Sequence, residues 1–314
     1  MVAQKQWLKE VIVVDNDSTD QTLKVAHRFD AMLPMRYTNI PEHLDKGPGN
    51  ARQAGIDIAQ GEWIGFIDVD DFLPFNALRI IDTALNELNE KNITPDYLVG
   101  NFIEYDYTTD RFIKEHKRDN TWVHGKWYRK EFLDKNQISF KENLYTHEDV
   151  YFNSCVLDNL NGKEEEFFFI DSPVYYWNHR NSESMTSQDR YVETNFADYA
   201  CAVGEPHFKA IKQFKNRRDF FATTIVDHFL QLYFYYQAFL YTYKDTANPN
   251  SIEIIKNYYT QMIDCTNLTK KEILDYYNKN ANKYIAQKQA TMNAFGSFVE
   301  SQSIADFLDM ITSN

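Results

Sequence analysis

Two short apolar runs, each ending in a group of carboxylates, constrain the fold of this chain more than any other feature. The first, VIVV at residues 11–14, is continuous and β-branched, as expected of a buried strand in a parallel sheet. It ends in the polar turn DNDSTD. The second, EWIGFID at residues 62–68, leads directly into Asp70 and Asp71. Because open α/β sheets bind ligands at the carboxyl ends of their strands, this pattern predicts an α/β fold with a polar site there.

Helical signals alternate with these strands through the first half of the chain. Ser18 and Gln21 have the spacing of a capping box before a first helix, and small residues along residues 49–60 indicate a second helix. The remaining elements are predicted from their periodicity: an amphipathic helix that begins at Pro74, strands at 97–105 and 111–115, and helices at 126–136 and 149–160.

The pattern changes near residue 188, where strand signals end and long helical stretches begin. We therefore expect two domains, an α/β domain over residues 1–188 and an all-helical domain over residues 189–314. One stretch of the helical part carries apolar residues at helical spacing, for which a packed core is favoured over a sugar-stacking platform. These residues are Phe229, Leu232, Tyr233, Tyr236 and Phe239.

Charge and cysteine content argue against several classes of protein. The 33 basic and 46 acidic residues give a net charge of −13, which is unfavourable for binding nucleic acid or an anionic membrane. The three cysteines form no C-x-x-C pair, so we expect neither a disulfide framework nor a cysteine zinc site. The first residues lack the apolar core of a signal peptide, and polar residues interrupt the most apolar window. We therefore expect a soluble, cytoplasmic protein.

The strongest chemical signal is the group formed by Asp68, Asp70 and Asp71 at the end of a predicted strand. Like charges at this spacing repel one another unless a cation lies among them. Oxygen ligands without a nearby cysteine suit Mg²⁺ or Mn²⁺, which usually hold substrate phosphates as well. A D-x-D pattern also recurs by chance, however, and an isolated one is more simply a solvated acidic turn or helix cap. Its interpretation therefore depends on the surrounding motifs.

Three segments in order resemble the family 2 glycosyltransferases: DNDSTD, then KGPGNARQAGIDIAQGEWIGFIDVDD, then THEDVYF. The family pattern runs V-V-D-D-G-S-T-D, G-x-x-x-A-R-N-x-G, G-E-x-I-x-F-L-D-S-D-D and E-D, and the resemblance covers residues 10–180. It implies the GT-A fold, a nucleotide-binding α/β sandwich, with Mn²⁺ or Mg²⁺ as cofactor. It also implies a nucleotide-diphospho-sugar donor, with UDP as the expected nucleotide, and a hydroxyl acceptor in polysaccharide, glycolipid or glycoprotein glycan synthesis.

The resemblance also implies roles for the residues that bind the donor. Asp15 and Asn16 stand where the family's paired acids meet the nucleobase and ribose, and Arg52 matches an arginine near the nucleotide. Asp68 and Asp70 match the D-x-D of the metal site, with Asp70 as the expected direct ligand and Asp68 nearer the ribose. Asn16 departs from the usual aspartate at its position, which weakens the expectation of a uracil nucleotide.

Residues for chemistry and for the acceptor follow from the same resemblance. Asp149 matches the catalytic base, and Glu148 matches the neighbouring acid that positions acceptor hydroxyls. His124 and Trp127 fall where the family often places acceptor-facing residues, with plain packing as the alternative. His179 is a candidate additional metal or diphosphate ligand, although a surface histidine is the simpler interpretation. One metal site and one separate base imply in-line attack and inversion at the anomeric carbon.

Two further expectations concern the whole chain. Family members open with a strand before the one at residues 11–14, so we expect a sheet without that strand and a partly open nucleobase pocket. This leaves a second class open, a catalytically impaired glycosyltransferase-like binding or scaffold protein. The acceptor hydroxyl can belong to a saccharide, a lipid-linked glycan or a protein. A homo-oligomer and a peripheral association with a membrane are both compatible with the sequence.

Overall fold

The chain forms two compact units, Met1–Asp189 and Arg190–Asn314. The computed structural model describes residues 1–160, 167–178, 190–242, 249–284 and 303–313. The first unit, here the N-terminal unit, combines strands and helices, and all strands of the described residues lie in it. The second, here the helical unit, contains helices alone within those residues. The α/β class expected from the sequence is therefore confirmed, together with the helical C-terminal region.

The N-terminal unit begins with a small parallel sheet. Strand β1 (Val11–Asp15) pairs along its whole length with β2 (Met35–Asn39). Within the described residues β2 is the one strand that pairs with β1, and residues 11–14 are partly exposed. The carboxyl end of β1 delivers Asp15, which is buried, to the loop that follows.

The predicted capping box after β1 is absent. The backbone N–H of Ser18 donates to the Asp15 carboxylate at 3.2 Å, so it is engaged by the strand end rather than by a helix. Helix α1 (Thr22–Ala26) begins at Thr22, and its N-cap residue Gln21 makes no side-chain capping hydrogen bond. Asp15 takes this donor because an aspartate side chain can accept a backbone N–H a few residues further along the chain.

A five-stranded mixed sheet is built around β4 (Tyr97–Asp106). One edge of β4 pairs antiparallel with β6 (Lys126–Arg129) and then with β5 (Arg111–His116). Strand β6 pairs in turn with β3 (Trp63–Gly65). The other edge of β4 pairs in parallel with β7 (Phe167–Asn178), which is the longest pairing of the sheet.

The structure corrects the helix predicted over residues 126–136. Its first four residues form β6, and helix α4 occupies only Lys130–Lys135. Strand pairing on both edges of β6 explains the difference, because it gives the segment the period-two alternation of a sheet. Tyr128 is fully buried in one apolar cluster, whereas Trp127 packs into another cluster on the opposite side.

Three helices of the N-terminal unit position the residues considered below. Helix α2 (Pro48–Ile58) packs on β1, β2 and α5 (Glu148–Asn159), while α3 (Ala77–Glu90) packs on β7. Gln4, in the short 3-10 helix Val2–Trp7, connects this helix to the start of α3 by hydrogen bonds. The buried amide of Gln4 donates to the carbonyl of Pro74 at 2.8 Å and accepts from the N–H of Leu78 at 2.7 Å.

The helical unit consists of amphipathic and buried helices that pack on one another. Phe229, Leu232, Tyr233 and Tyr236 are at most 5% exposed, so the predicted core is confirmed at these positions; the side chain of Phe239 lies outside the described residues. Among the described helices, none has the length and hydropathy required to cross a membrane. The helices of this unit are α6 (Arg190–Gln213), α7 (Arg218–Thr242), α8 (Pro249–Thr266), α9 (Lys270–Lys279) and α10 (Ile304–Thr312).

The close approach of β4 and β7 generates a stability prediction. A methyl group added at Gly100 would lie 2.3 Å from the Cγ2 atom of Val174, so Gly100→Ala should lower the free energy of unfolding by about 1–3 kcal/mol. All five tryptophans lie in the N-terminal unit, so their fluorescence during urea unfolding reports on that unit.

A double-mutant cycle controls this measurement. Val174→Ala removes the colliding atom, and Gly100→Ala should therefore cost clearly less in that background than in the parent. Equal costs in the two backgrounds would show that the contact with Val174 is not what excludes a side chain at Gly100.

Candidate functional site

Arg52 is the centre of the candidate site. Its guanidinium lies between two carboxylates and its side chain is 11% exposed. The Nη1 atom donates to Glu148 Oε1 at 2.6 Å, and Nη2 donates to both oxygens of Asp68 at 3.0 and 3.2 Å. Arg52 belongs to α2, Asp68 to the loop after β3 and Glu148 to the first turn of α5. One buried cation therefore connects three segments that are distant in the sequence.

Charge pairing sets the protonation of this cluster. Burial alone would raise the pKa of Asp68, but the positive charge of Arg52, with a contribution from His124, holds it well below its usual range. Burial would likewise lower the pKa of Arg52, and the charges of Asp68 and Glu148 raise it instead. Both groups therefore stay ionised, because a buried charge is stable only when it is paired and hydrogen-bonded.

Asp149 has the opposite behaviour. Burial, followed by the negative charge of Glu148, raises the pKa of Asp149 to about 7, although Arg52 acts in the other direction. The carboxylate accepts the backbone N–H of Val150 at 2.8 Å, at the N-terminal turn of α5 where helix dipoles favour acids. His147 precedes this helix in the left-handed region, with φ of 59°. A carboxylate with this pKa is suited to accept a proton near neutral pH.

Asp68, Asp71 and His124 form a group with the composition and spacing of a metal site. One ligand atom from each lies within 4.8 Å of the others, and His124 Nε2 is 3.7 Å from Asp68 and 3.9 Å from Asp71. The Nδ1 atom of His124 is buried and has no hydrogen-bond partner among the described residues. Two carboxylates and an imidazole at this distance can share a divalent cation.

Asp71 also fastens the loop after β3 to strand β7. Its side chain is 1% exposed and accepts hydrogen bonds from the Tyr175 hydroxyl and, at 2.7 Å, from the backbone N–H of Asn178. Burial raises the pKa of Asp71 despite these donors. The Tyr175 hydroxyl in turn accepts the N–H of Asp68 at 3.2 Å. Sequence reasoning missed Tyr175 and Asn178, because it predicted no strand over residues 167–178; the aromatic run of this segment is the signal that could have marked one.

The other predicted metal and donor residues are distributed more widely. Asp70 is exposed and is not a member of the Asp68–Asp71–His124 group; the Asn178 amide donates to its backbone carbonyl at 3.2 Å. His179 lies outside the described residues. At the end of β1, Asp15 is buried and Asn16 is exposed, and no hydrogen bond of the described chain joins either residue to Arg52.

The two predicted acceptor residues lie in different surroundings. His124 faces Asp68 and Asp71, whereas Trp127 is packed over Gly65, where an added methyl group would come within 2.8 Å of the indole. Trp127 packs against the apolar cluster under α3, the group of buried residues formed by α3 side chains such as Leu78 and Ile81 with residues of the sheet. The structure thus brings His124 into the candidate site and packs the partly buried Trp127 against the apolar cluster on the other side.

Lys126 is a buried cation on the same strand. Its Nζ atom donates to Asp119 at 3.3 Å and to the carbonyl of His124 at 3.1 Å, and it lies 5.3 Å from the ring centre of Phe102. Burial lowers the pKa of Lys126 to about 8, against the opposing charges of Asp119 and Asp149. This lysine therefore holds the segment that carries His124 in place.

Comparison with known proteins identifies the protein family that residues 2–147 match. Residues 2–147 match the family model described as glycosyl transferase family 2. The poly(ribitol-phosphate) beta-N-acetylglucosaminyltransferase TarS of Staphylococcus aureus is 27% identical over 190 residues, which are 57% of this chain and 31% of TarS. Glycosyltransferase GlyG of Streptococcus pneumoniae is 31% identical over 103 residues, 33% of this chain and 32% of GlyG. The chain therefore spans about a third of the length of these relatives.

Solved structures extend the similarity to most of the chain. The crystal structure of S. aureus TarS 1–349 has a TM-score of 0.62 at 19% identity and covers 93% of this chain and 86% of its own. Its complex with UDP-GlcNAc has a TM-score of 0.59 at 18% identity, with coverage of 96% and 92%. At these identities the similarity shows the fold. The N-terminal unit therefore belongs to glycosyl transferase family 2 and has the GT-A fold.

Proposed function

We propose that this protein is an inverting, metal-dependent glycosyltransferase that moves a sugar from a nucleotide-diphospho-sugar to a hydroxyl acceptor. The observation that carries the proposal is the contact of Arg52 with both Asp68 and Glu148. This contact joins helix α2, the D-x-D loop after β3 and the start of helix α5 into one site, although they carry separate motifs in the sequence. Residues 1–188 are the proposed catalytic domain and residues 189–314 the proposed helical domain.

The donor is a UDP-sugar in this proposal. A structural neighbour of 0.59 TM-score was crystallised with UDP-GlcNAc, which supports this nucleotide for the shared fold. Asp15 and Asn16 are assigned to the nucleobase and ribose, since they end the strand at the carboxyl edge of the parallel sheet. Arg52 and Asp68 are assigned to the nucleotide side of the site.

Asp149 is the proposed catalytic base. As the acceptor oxygen attacks the anomeric carbon, its proton passes to the Asp149 carboxylate. The bond between that carbon and the diphosphate oxygen breaks, and its electron pair leaves with the nucleotide diphosphate. Attack from the face opposite the leaving group inverts the configuration and needs no covalent enzyme intermediate. The pKa of about 7 at Asp149 keeps this group ready to accept a proton near neutral pH.

A divalent cation, when bound, stabilises the negative charge of the departing diphosphate. The oxygen-rich group after β3 fits Mn²⁺ or Mg²⁺ in ligand type. We assign Asp70 as a direct ligand beside Asp68, because Asp71 already accepts hydrogen bonds from Tyr175 and Asn178 that fasten the loop. His179 is a proposed additional ligand.

Replacing the base should separate chemistry from donor binding. Asp149→Asn keeps the shape of the side chain and removes its capacity to take a proton, so kcat should fall about 10²–10⁴-fold. Affinity for the UDP-sugar, measured by calorimetry, should change less than about threefold. Glu148→Gln is the matched comparison: since Glu148 pairs with Arg52, its loss should weaken donor affinity as well. Near-parental turnover by Asp149→Asn would show that another group takes the proton.

The same residue predicts a pH profile. Because burial and Glu148 raise the pKa of Asp149 to about 7, the proton-accepting form is depleted below that pH. The value of kcat/KM should fall about tenfold for each pH unit below 7 and level off above it. Initial rates at saturating metal test this between about pH 5 and 9. A flat profile across neutrality would remove Asp149 from the role of base.

The metal assignment is tested by neighbouring substitutions. Asp70→Asn should abolish the Mn²⁺-dependent part of UDP binding while leaving the melting temperature unchanged, because Asp70 is exposed. Asp71→Asn should lower the melting temperature, since it disturbs the contacts with Tyr175 and Asn178, and should weaken Mn²⁺ dependence less. Parental Mn²⁺ dependence in Asp70→Asn, together with its loss in His124→Asn, would place the cation in the Asp68–Asp71–His124 group instead.

The scaffold alternative makes a different prediction. A binding protein without catalysis would show no release of UDP with any donor, with or without Mn²⁺. Screening common UDP-, GDP- and dTDP-sugars for nucleotide diphosphate release separates the two classes and identifies the donor. Donor hydrolysis in the absence of an acceptor already counts for the enzyme, because water can replace the alcohol.

A further inference from the structure

A stack of aromatic rings leads away from the carboxylate group of the candidate site. Tyr175 and Trp177 are two residues apart on β7 and therefore point to the same face of the sheet. His124 stacks on both rings, at 4.9 Å and 26° from Tyr175 and at 5.7 Å and 21° from Trp177. Trp122 then meets the indole of Trp177 at 5.3 Å and 63°.

The stack begins in the interior and ends at the surface. Tyr175 is 1% exposed and donates to Asp71, and His124 is 9% exposed beside Asp68. Trp122 and Trp177, at the far end, are both partly exposed. These two indoles are therefore the solvent-facing part of an aromatic wall that starts at the carboxylates.

Trp122 is held firmly in this position. Its backbone N–H donates to Asp119 at 3.1 Å, and its indole also contacts Phe102 at 5.6 Å and His116 at 5.2 Å between ring centres. Asp119 is fixed in turn by the buried Lys126. A rigid, partly exposed indole of this kind binds a ligand without a large loss of side-chain entropy.

We propose that Trp122 and Trp177 form the stacking platform for the acceptor, and that the acceptor residue is a pyranose ring rather than an open-chain polyol phosphate. This inference rests on the proposed function. A pyranose presents a flat face of C–H groups that packs on an indole, whereas an extended polyol has no such face. Continuity with the site supports this occupant, because His124 lies between the indoles and the carboxylates.

The test compares two probes with parent and variant proteins: a methyl pyranoside series and ribitol 5-phosphate. Binding is measured by saturation-transfer NMR, which needs no turnover, and acceptor KM by transfer from the UDP-sugar. Trp122→Ala and Trp177→Ala should each weaken pyranoside binding and raise its KM about two- to tenfold, with UDP affinity unchanged. The Phe variants should recover part of the loss. Trp63→Phe, packed in the apolar cluster under α3, is the control and should behave as the parent.

Three results would overturn the inference. One is unchanged pyranoside binding in both Ala variants, with folding checked by circular dichroism; an Ala variant that does not fold is replaced by the Gln variant, which also lacks an aromatic ring. Another is tighter binding of ribitol 5-phosphate than of every pyranoside. The third is a loss of UDP affinity equal to the loss of pyranoside affinity, which would assign the indoles to the donor. Retained, tryptophan-dependent pyranoside binding without any transfer would support the platform while contradicting the proposed activity.

Discussion

The rest of the candidate site depends on the burial of Arg52 between Asp68 and Glu148. The Arg52 guanidinium is nearly enclosed by its partners, and removing Glu148, whose side chain is 10% exposed, would leave much of that charge uncompensated. The pair with Asp68, whose side chain is 38% exposed, is screened more strongly by solvent. The two ion pairs therefore fix α2, the loop after β3 and the start of α5 relative to one another. Burial is the main reason that the pKa of Asp149 is raised, and the members of these pairs adjust it, because Glu148 raises it further while Arg52 lowers it. Fold and proposed chemistry share one set of contacts.

A second layer of contacts extends this network to the aromatic wall. Asp71 links the D-x-D loop to Tyr175 of β7, and His124 lies between that tyrosine and the carboxylates. Strand β7 would thus serve both ends of the proposed reaction, since Tyr175 supports the D-x-D loop and Trp177 belongs to the proposed acceptor platform. Its parallel pairing with β4 explains this precision, because a shift by one residue would turn both rings to the other face.

The motifs predicted the family and the fold. The structure also brings together Arg52, Asp68 and Glu148, which belong to separate motifs and were assigned to the nucleotide and the acceptor one by one. The sequence could not give the direction of side chains on short strands. Trp127 was expected to face the acceptor, but the alternation of β6 turns it toward α3. That alternation was hidden because residues 126–129 have helical local signals, and pairing with β3 and β4 overrides them. Long-range pairing also creates the aromatic wall, which no local pattern marks.

The anomeric configuration of the first product tests the central claim, a single site with one base and in-line displacement, most directly. With UDP-GlcNAc, whose sugar is α-linked, proton NMR of the product before mutarotation should show the β-anomer, whether the acceptor is a glycoside or water. That result is expected because Asp149 activates the nucleophile on the face opposite the diphosphate. An α-linked first product would contradict the account, since retention requires a covalent intermediate or attack from the side of the leaving group.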